Sequence, residues 1–122
     1  MEELKLGTVE SKFADIIWEN EPISSGQLVK LCGQQLEWKK STTYTMLKRL
    51  CQRGLFQNEK GMVSALMTKE EFGAAQSEKI IEESFDGSLP AFIAAFTSRK
   101  KLSPDDVNEI QKMIDSYRVE GE

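Results

Sequence analysis

The sequence predicts a mainly α chain with a small β-hairpin: a winged helix-turn-helix domain over residues 1–68, then a helical dimerisation region over 69–122. Three short segments with helical apolar periodicity precede two short strands that flank Lys60-Gly61, which is the order of elements in a winged domain. Positive charge is concentrated in one stretch. Residues 38–60 hold Lys39, Lys40, Lys48, Arg49, Arg53 and Lys60 against Glu59 alone, a net +5, whereas 69–122 carries −5 in a chain of net charge −4. The last third is dense in large apolar residues, more than so short a segment can enclose by itself.

The first helix is expected to start near Thr8, whose hydroxyl can cap, with Val9, Phe13, Ile16 and Ile17 on one face before Trp18. Glu21-Pro22 ends it, because the residue before a proline is pushed out of the helical region. Ser24 lies three residues ahead of Gln27 as a capping box, and Leu28, Leu31 and Cys32 form the apolar stripe of a short second helix that Gly33 weakens. Leu36 to Lys40 lead to a third.

Ser41 lies near the start of that third helix, and Gly54 follows it as a C-terminal stop. Thr43, Met46, Leu47 and Leu50 recur at helical spacing and make the inward stripe. At about 100° per residue, Ser41, Tyr44, Thr45 and Lys48 then share the outward face, with Thr42 and Arg49 on its flank. Stability alone favours Glu, Lys, Ala and Gln on an exposed helix face. Thr42, Thr43 and Thr45 cut against that preference, as expected where function sets the sequence.

Leu55–Glu59 and Met62–Met67 read as the strands of the wing. Thr68 to Glu71 is a second capping box, opening a helix through about Phe85 with Phe72, Ala75, Ile80 and Ile81 as its apolar positions, and Gly87 breaks it. After Ser88-Leu89-Pro90 comes the apolar piece Ala91–Phe96. Ser103-Pro104-Asp105-Asp106 is a helix start with a serine cap, proline in the first turn and acids near the positive dipole end. Val107, Ile110, Met113, Ile114 and Tyr117 are its apolar stripe.

A DNA reader needs cations for phosphates and shorter groups for base edges. Ser41, Thr42, Tyr44, Thr45 and Lys48 suit bases or the groove, and Lys39, Lys40, Arg49, Arg53 and Lys60 suit phosphates. Trp38 either packs on the core or reaches the DNA backbone, while Trp18 reads as core. Phe85, Leu89, Phe92, Ile93, Phe96, Val107, Ile110 and Ile114 imply either a second copy of the chain or packing back on the winged domain. A dimer would also supply two half-site readers. A winged module whose third helix meets a protein is the competing class.

Catalysis has little to work with. The chain contains no histidine and no Cys-x-x-Cys pair, so no metal site or cofactor is expected and an enzyme is disfavoured. Cys32 and Cys51 fall at apolar helix positions and read as reduced core residues, with a redox or metal role as the alternative. Asp105, Asp106 and Glu109 are explained by the capped first turn. No apolar run approaches the roughly 20 residues of a membrane span, and Met1-Glu2-Glu3 does not begin like a signal peptide. The expected compartment is the cytoplasm.

The run from Trp38 to Leu55 resembles the recognition region of the BlaI/MecI/CopY penicillinase-repressor family, as do Ile17-Trp18-Glu19, Gly87 to Phe96, and Leu102-Ser103. The resemblance extends over about residues 4–117. It implies a dimeric repressor of resistance or stress genes, with an N-terminal winged helix and a C-terminal dimerisation region. In the best-known members a membrane-bound sensor metallopeptidase triggers cleavage in that second region. The corresponding bond here is near Ala95-Phe96, with Ala where those members have Asn. Tyr44 stands where members often carry a basic residue, so their operator does not transfer. The copper-responsive members end in a cysteine-rich motif. This chain ends Val119-Glu120-Gly121-Glu122, and no copper response is expected.

Overall fold

The computed structural model describes residues 6–118. The Met1-Glu2-Glu3 start, the first two residues of the resembling stretch and the Val119–Glu122 end lie outside the described residues. The chain forms two compact units, one through Lys79 and one from Ile80.

The first unit begins with α1 (Thr8–Asn20), β1 (Ile23–Ser24), α2 (Ser25–Leu36) and α3 (Lys40–Gln52). Strands β2 (Phe56–Glu59) and β3 (Met62–Ala65) follow, and then α4 (Lys69–Phe85), within which the unit ends. The cap of α1 is Gly7, one residue before the expected Thr8. The Glu10 carboxylate accepts the Gly7 N–H at 2.9 Å, so the acidic half of a capping box starts the helix without a hydroxyl. Phe13, Ala14, Ile16 and Ile17 are buried, but Val9 is half-exposed. Periodicity fixes the angle of a residue around a helix, not how far along the helix the core extends.

Ser24 Oγ accepts the Gln27 N–H at 3.1 Å, and α2 runs straight through Gly33 to Leu36. It ends on Glu37 in the left-handed region at φ 57, and Glu37 to Lys39 form the turn into α3. Gly54, at φ 85, closes α3: its N–H donates to the Cys51 carbonyl at 3.0 Å and the Leu55 N–H to the Leu50 carbonyl at 3.1 Å. This pair of bonds is a Schellman motif, which needs the left-handed residue that glycine adopts without strain.

The sheet has three strands in the order β1-β3-β2, all antiparallel. Its two-residue β1, pairing Ile23 with Val63 and Ser24 with Met62, is absent from the sequence expectation. The hairpin pairs are Phe56 with Ala65 through Glu59 with Met62, shorter than Leu55–Glu59 and Met62–Met67. Lys60 and Gly61, at φ 53 and 85, turn with both central residues left-handed, the geometry that matches strand twist.

Phe13, Ile17, Leu28, Leu50, Leu55, Phe56 and Val63 fill the core of this unit. Trp38 packs on Phe13 with ring centroids 5.3 Å apart, which settles it as a core residue. Trp18 lies 5.3 Å from Phe56 and 5.8 Å from Phe72, and its indole N–H donates to the Met67 carbonyl at 2.9 Å. Cys32 is buried and Cys51 partly so, both as free thiols. Burial pushes both thiols above their ordinary range, with a Thr43 hydrogen bond partly offsetting it at Cys32. Thr68 and Glu71 form the complete reciprocal box at the start of α4. Phe72 is buried, but Ile80, expected on the apolar face, is half-exposed.

The second unit holds the last turn of α4, then α5 (Leu89–Arg99) and α6 (Pro104–Ser116). Ser88 Oγ accepts the Ala91 N–H and Ser103 Oγ the Asp106 N–H, both at 3.0 Å. Phe85 meets Phe92 edge-on at 5.5 Å, and Phe92 stacks on Phe96 at 6.3 Å. Neither α5 nor α6 contains a buried residue. No helix among the described residues is long and apolar enough to cross a membrane.

Candidate nucleic-acid interface

The side chains on α3 sort into two sets. Thr43, Leu47 and Leu50 are buried, and Met46 packs partly against the core. Thr43 is therefore not part of the hydroxyl-bearing surface. Its hydroxyl donates to the Lys39 carbonyl at 3.3 Å, which lets a polar residue sit 1% exposed in an apolar core. Ser41, Thr42, Tyr44, Thr45, Lys48 and Arg49 are all exposed. These outward groups share one rigid helix, anchored from below by Leu47 and Leu50 and stopped by Gly54.

The cations differ in what holds them. Lys39 is the backbone cap of α3 and Lys40 its first residue; both are exposed, as are Lys48 and Lys60 at the tip of the wing. Among the described residues none of these four lysines is in an ion pair, so their charge is available to an anion. Arg49 lies 3.5 Å from Glu10 with 55% of its side chain exposed. Arg53 departs from the expected role in phosphate contact. Its side chain is only 9% exposed, and its guanidinium lies 3.9 Å from Glu10, so it fastens the end of α3 to α1.

Two residues absent from the sequence expectation belong to this surface. The Tyr44 hydroxyl donates to Ser25 Oγ at 3.0 Å, joining the outward face of α3 to the start of α2. Asn58 of β2 lines a groove of about 370 Å³ together with Tyr44, Leu47, Lys48 and Cys51. A hydroxyl at a helix start and an asparagine beside a turn are common in any sequence. Only the packing of α2 and the wing against α3 distinguishes them.

In the second unit Leu89, Ile93, Phe96, Val107, Ile110 and Ile114 are exposed, and Phe85 and Phe92 are half-buried. Ala95 and Phe96 lie inside α5, both exposed, and the Phe96 carbonyl accepts the Lys100 N–H at 3.0 Å. A protease needs extended substrate, so cutting at this bond requires local unwinding of α5. Among the described residues no cluster of carboxylates and thiols is placed to hold a metal ion.

A family model described as the penicillinase repressor matches residues 6–116, spanning both units. The chain is 20% identical to a penicillinase repressor of Bacillus licheniformis over 118 residues, covering 93% of this chain and 92% of that protein. It is 20% identical to the methicillin resistance regulatory protein MecI of Staphylococcus aureus over 114 residues, covering 90% and 93%. The same protein of Mammaliicoccus sciuri is 19% identical with the same coverage.

Proposed function

Because this chain belongs to the penicillinase repressor family, we propose that it is a transcriptional repressor, not an enzyme, that binds operator DNA as a homodimer with α3 in the major groove. The exposed face of α3 carries the reading: hydroxyls at Ser41, Thr42 and Thr45, the ring of Tyr44 and the ammonium of Lys48, which is in no ion pair among the described residues, on one helix surface. The exposed Lys39 and Lys40 at the start of α3, and Lys60 on the wing, are the proposed phosphate contacts, which fix register while carrying no sequence information. Arg49 joins them when it leaves Glu10. Arg53 does not.

One winged unit offers too few contacts for a useful specificity ratio. A dimer doubles them, and the exposed apolar residues of α5 and α6 supply a surface that gains by being covered. The names of the relatives connect them with antibiotic resistance, and resistance or stress genes are the class of target proposed here. A sensor protease acting near Ala95-Phe96 would release DNA by weakening the dimer.

The test is a gel shift against the DNA upstream of the chain's own coding sequence, at two salt concentrations and with random competitor. Competitor-resistant binding is expected, falling on the order of 10³-fold between 50 and 200 mM salt if most of the dimer's free lysines meet phosphates. Absence of binding by folded, dimeric protein refutes the reading and favours a winged module that meets a protein.

A further inference from the structure

On the outward face of α3, the Tyr44 side chain is tethered to another helix. Its hydroxyl donates to Ser25 Oγ at 3.0 Å, across 19 residues of chain. Ser25 is the first residue of α2, where the helix leaves its own amides without helical partners. Its N–H donates instead to the Gly61 carbonyl, at 2.8 Å, in the wing turn. The Gly61 N–H in turn donates to Asn58 Oδ1 at 3.0 Å, and Asn58 and Tyr44 line the same groove. Hydrogen bonds thus run from the reading face through the start of α2 to the wing turn, and return to the groove beside Lys48.

From this geometry we propose that Ser25 is a positioning residue for DNA readout, holding Tyr44 so that the phenol ring, and not its hydroxyl, meets the bases beside Thr45 and Lys48. The inference rests on α3 being the DNA-reading helix. The phenol hydroxyl is engaged with Ser25, so meeting a purine N7 or a thymine O4 through it would mean giving up that bond. What the tethered side chain offers is ring surface, on a residue that is 36% exposed, suited to a thymine methyl. A ring fixed before binding also loses less freedom when the complex forms. The bond from Ser25 to Gly61 couples the ring to the wing, so the groove is set as a unit.

The test uses the full chain and a preferred duplex selected by the unmodified protein from a random-sequence pool, with a shuffled duplex as control. Ser25→Ala and Tyr44→Phe should each weaken the selected duplex by about 3- to 10-fold, as expected for loss of one hydrogen bond. Neither should change the salt slope or the affinity for the shuffled duplex, and the double variant should be no weaker than either single one. Ser25→Thr, which keeps the hydroxyl, should restore binding, and thermal unfolding checks that each variant is folded. A Tyr44→Phe loss with Ser25→Ala neutral or improved would mean that the hydroxyl reads a base directly, and would overturn the proposal. Additive losses would overturn it as well. If the unmodified protein selects no duplex, the DNA-binding reading itself fails and this inference with it; a selected duplex with a neutral Ser25→Ala sinks this inference alone.

Discussion

Glu10 offers a substitution whose effects on stability and on DNA affinity have opposite signs. Its carboxylate accepts the Gly7 N–H at 2.9 Å and lies 3.5 Å from Arg49 and 3.9 Å from Arg53. Glu10→Gln removes the charge and keeps an amide oxygen able to accept from Gly7, so the start of α1 survives. The Arg53 side chain, 9% exposed, loses a counter-charge, whereas that of Arg49, 55% exposed, was weakly held in solvent. Both contacts are long and the Glu10 side chain is 20% exposed, so the cost is set well below that of a fully buried pair, at about 1 kcal/mol. That lowers Tm by roughly 3–6 °C. Binding moves the other way: the Arg49 guanidinium no longer has to leave a carboxylate to meet a phosphate, which is worth about 2- to 5-fold in affinity at low salt. High salt screens both partners and should erase the gain. Fluorescence anisotropy on an operator duplex, beside a thermal melt, measures both effects. The gain must vanish in an Arg49→Ala background. A gain that survives there, or a loss of affinity in folded protein, refutes the role given to Arg49.

Other substitutions test the remaining surfaces. Lys48→Ala combined with Thr45→Ala should abolish specific binding in a gel shift while analytical ultracentrifugation still shows a dimer, because both side chains point away from the core. Phe96→Asp should weaken self-association by about 2 kcal/mol or more, since a ring 46% exposed gains that much from being covered and a carboxylate there has no partner; sedimentation showing an unchanged dimer would move the interface elsewhere. Cys32 should resist thiol reagents in the native protein at neutral pH. Its raised pKa means that the unfolded chain releases the thiol proton first, so stability should fall as pH rises past the ordinary thiol range toward the raised value, and denaturant titration across that range should show it.

The elements most fully legible in the sequence are those fixed by bonds between near neighbours. Ser24, Thr68 and Ser103 each cap the helix expected of them, because the hydroxyl and the amide it accepts from are three residues apart. Gly54 and the Lys60-Gly61 turn follow in the same way from local backbone conformation. Helical periodicity also separated buried Thr43, Leu47 and Leu50 from exposed Ser41, Tyr44, Thr45 and Lys48, since 100° per residue is a property of the helix alone.

What escaped the sequence depends on which elements come together. The strand β1 exists because Ile23 and Ser24 find Val63 and Met62, a pairing across about 40 residues that two residues cannot announce. Arg53 reads as one more basic residue in a cationic run until α1 brings Glu10 beside it and burial withdraws it from solvent. Ser25 and Asn58 acquire meaning only where α2 and the wing meet α3. The sequence by itself determined the capped starts of α2, α4 and α6, the inward face of α3 and where positive charge collects along the chain, because local hydrogen bonds and a fixed helical pitch decide these. Tertiary structure alone decided which of those charges are spent within the molecule and which side chains are held for use, because both depend on partners distant in the chain.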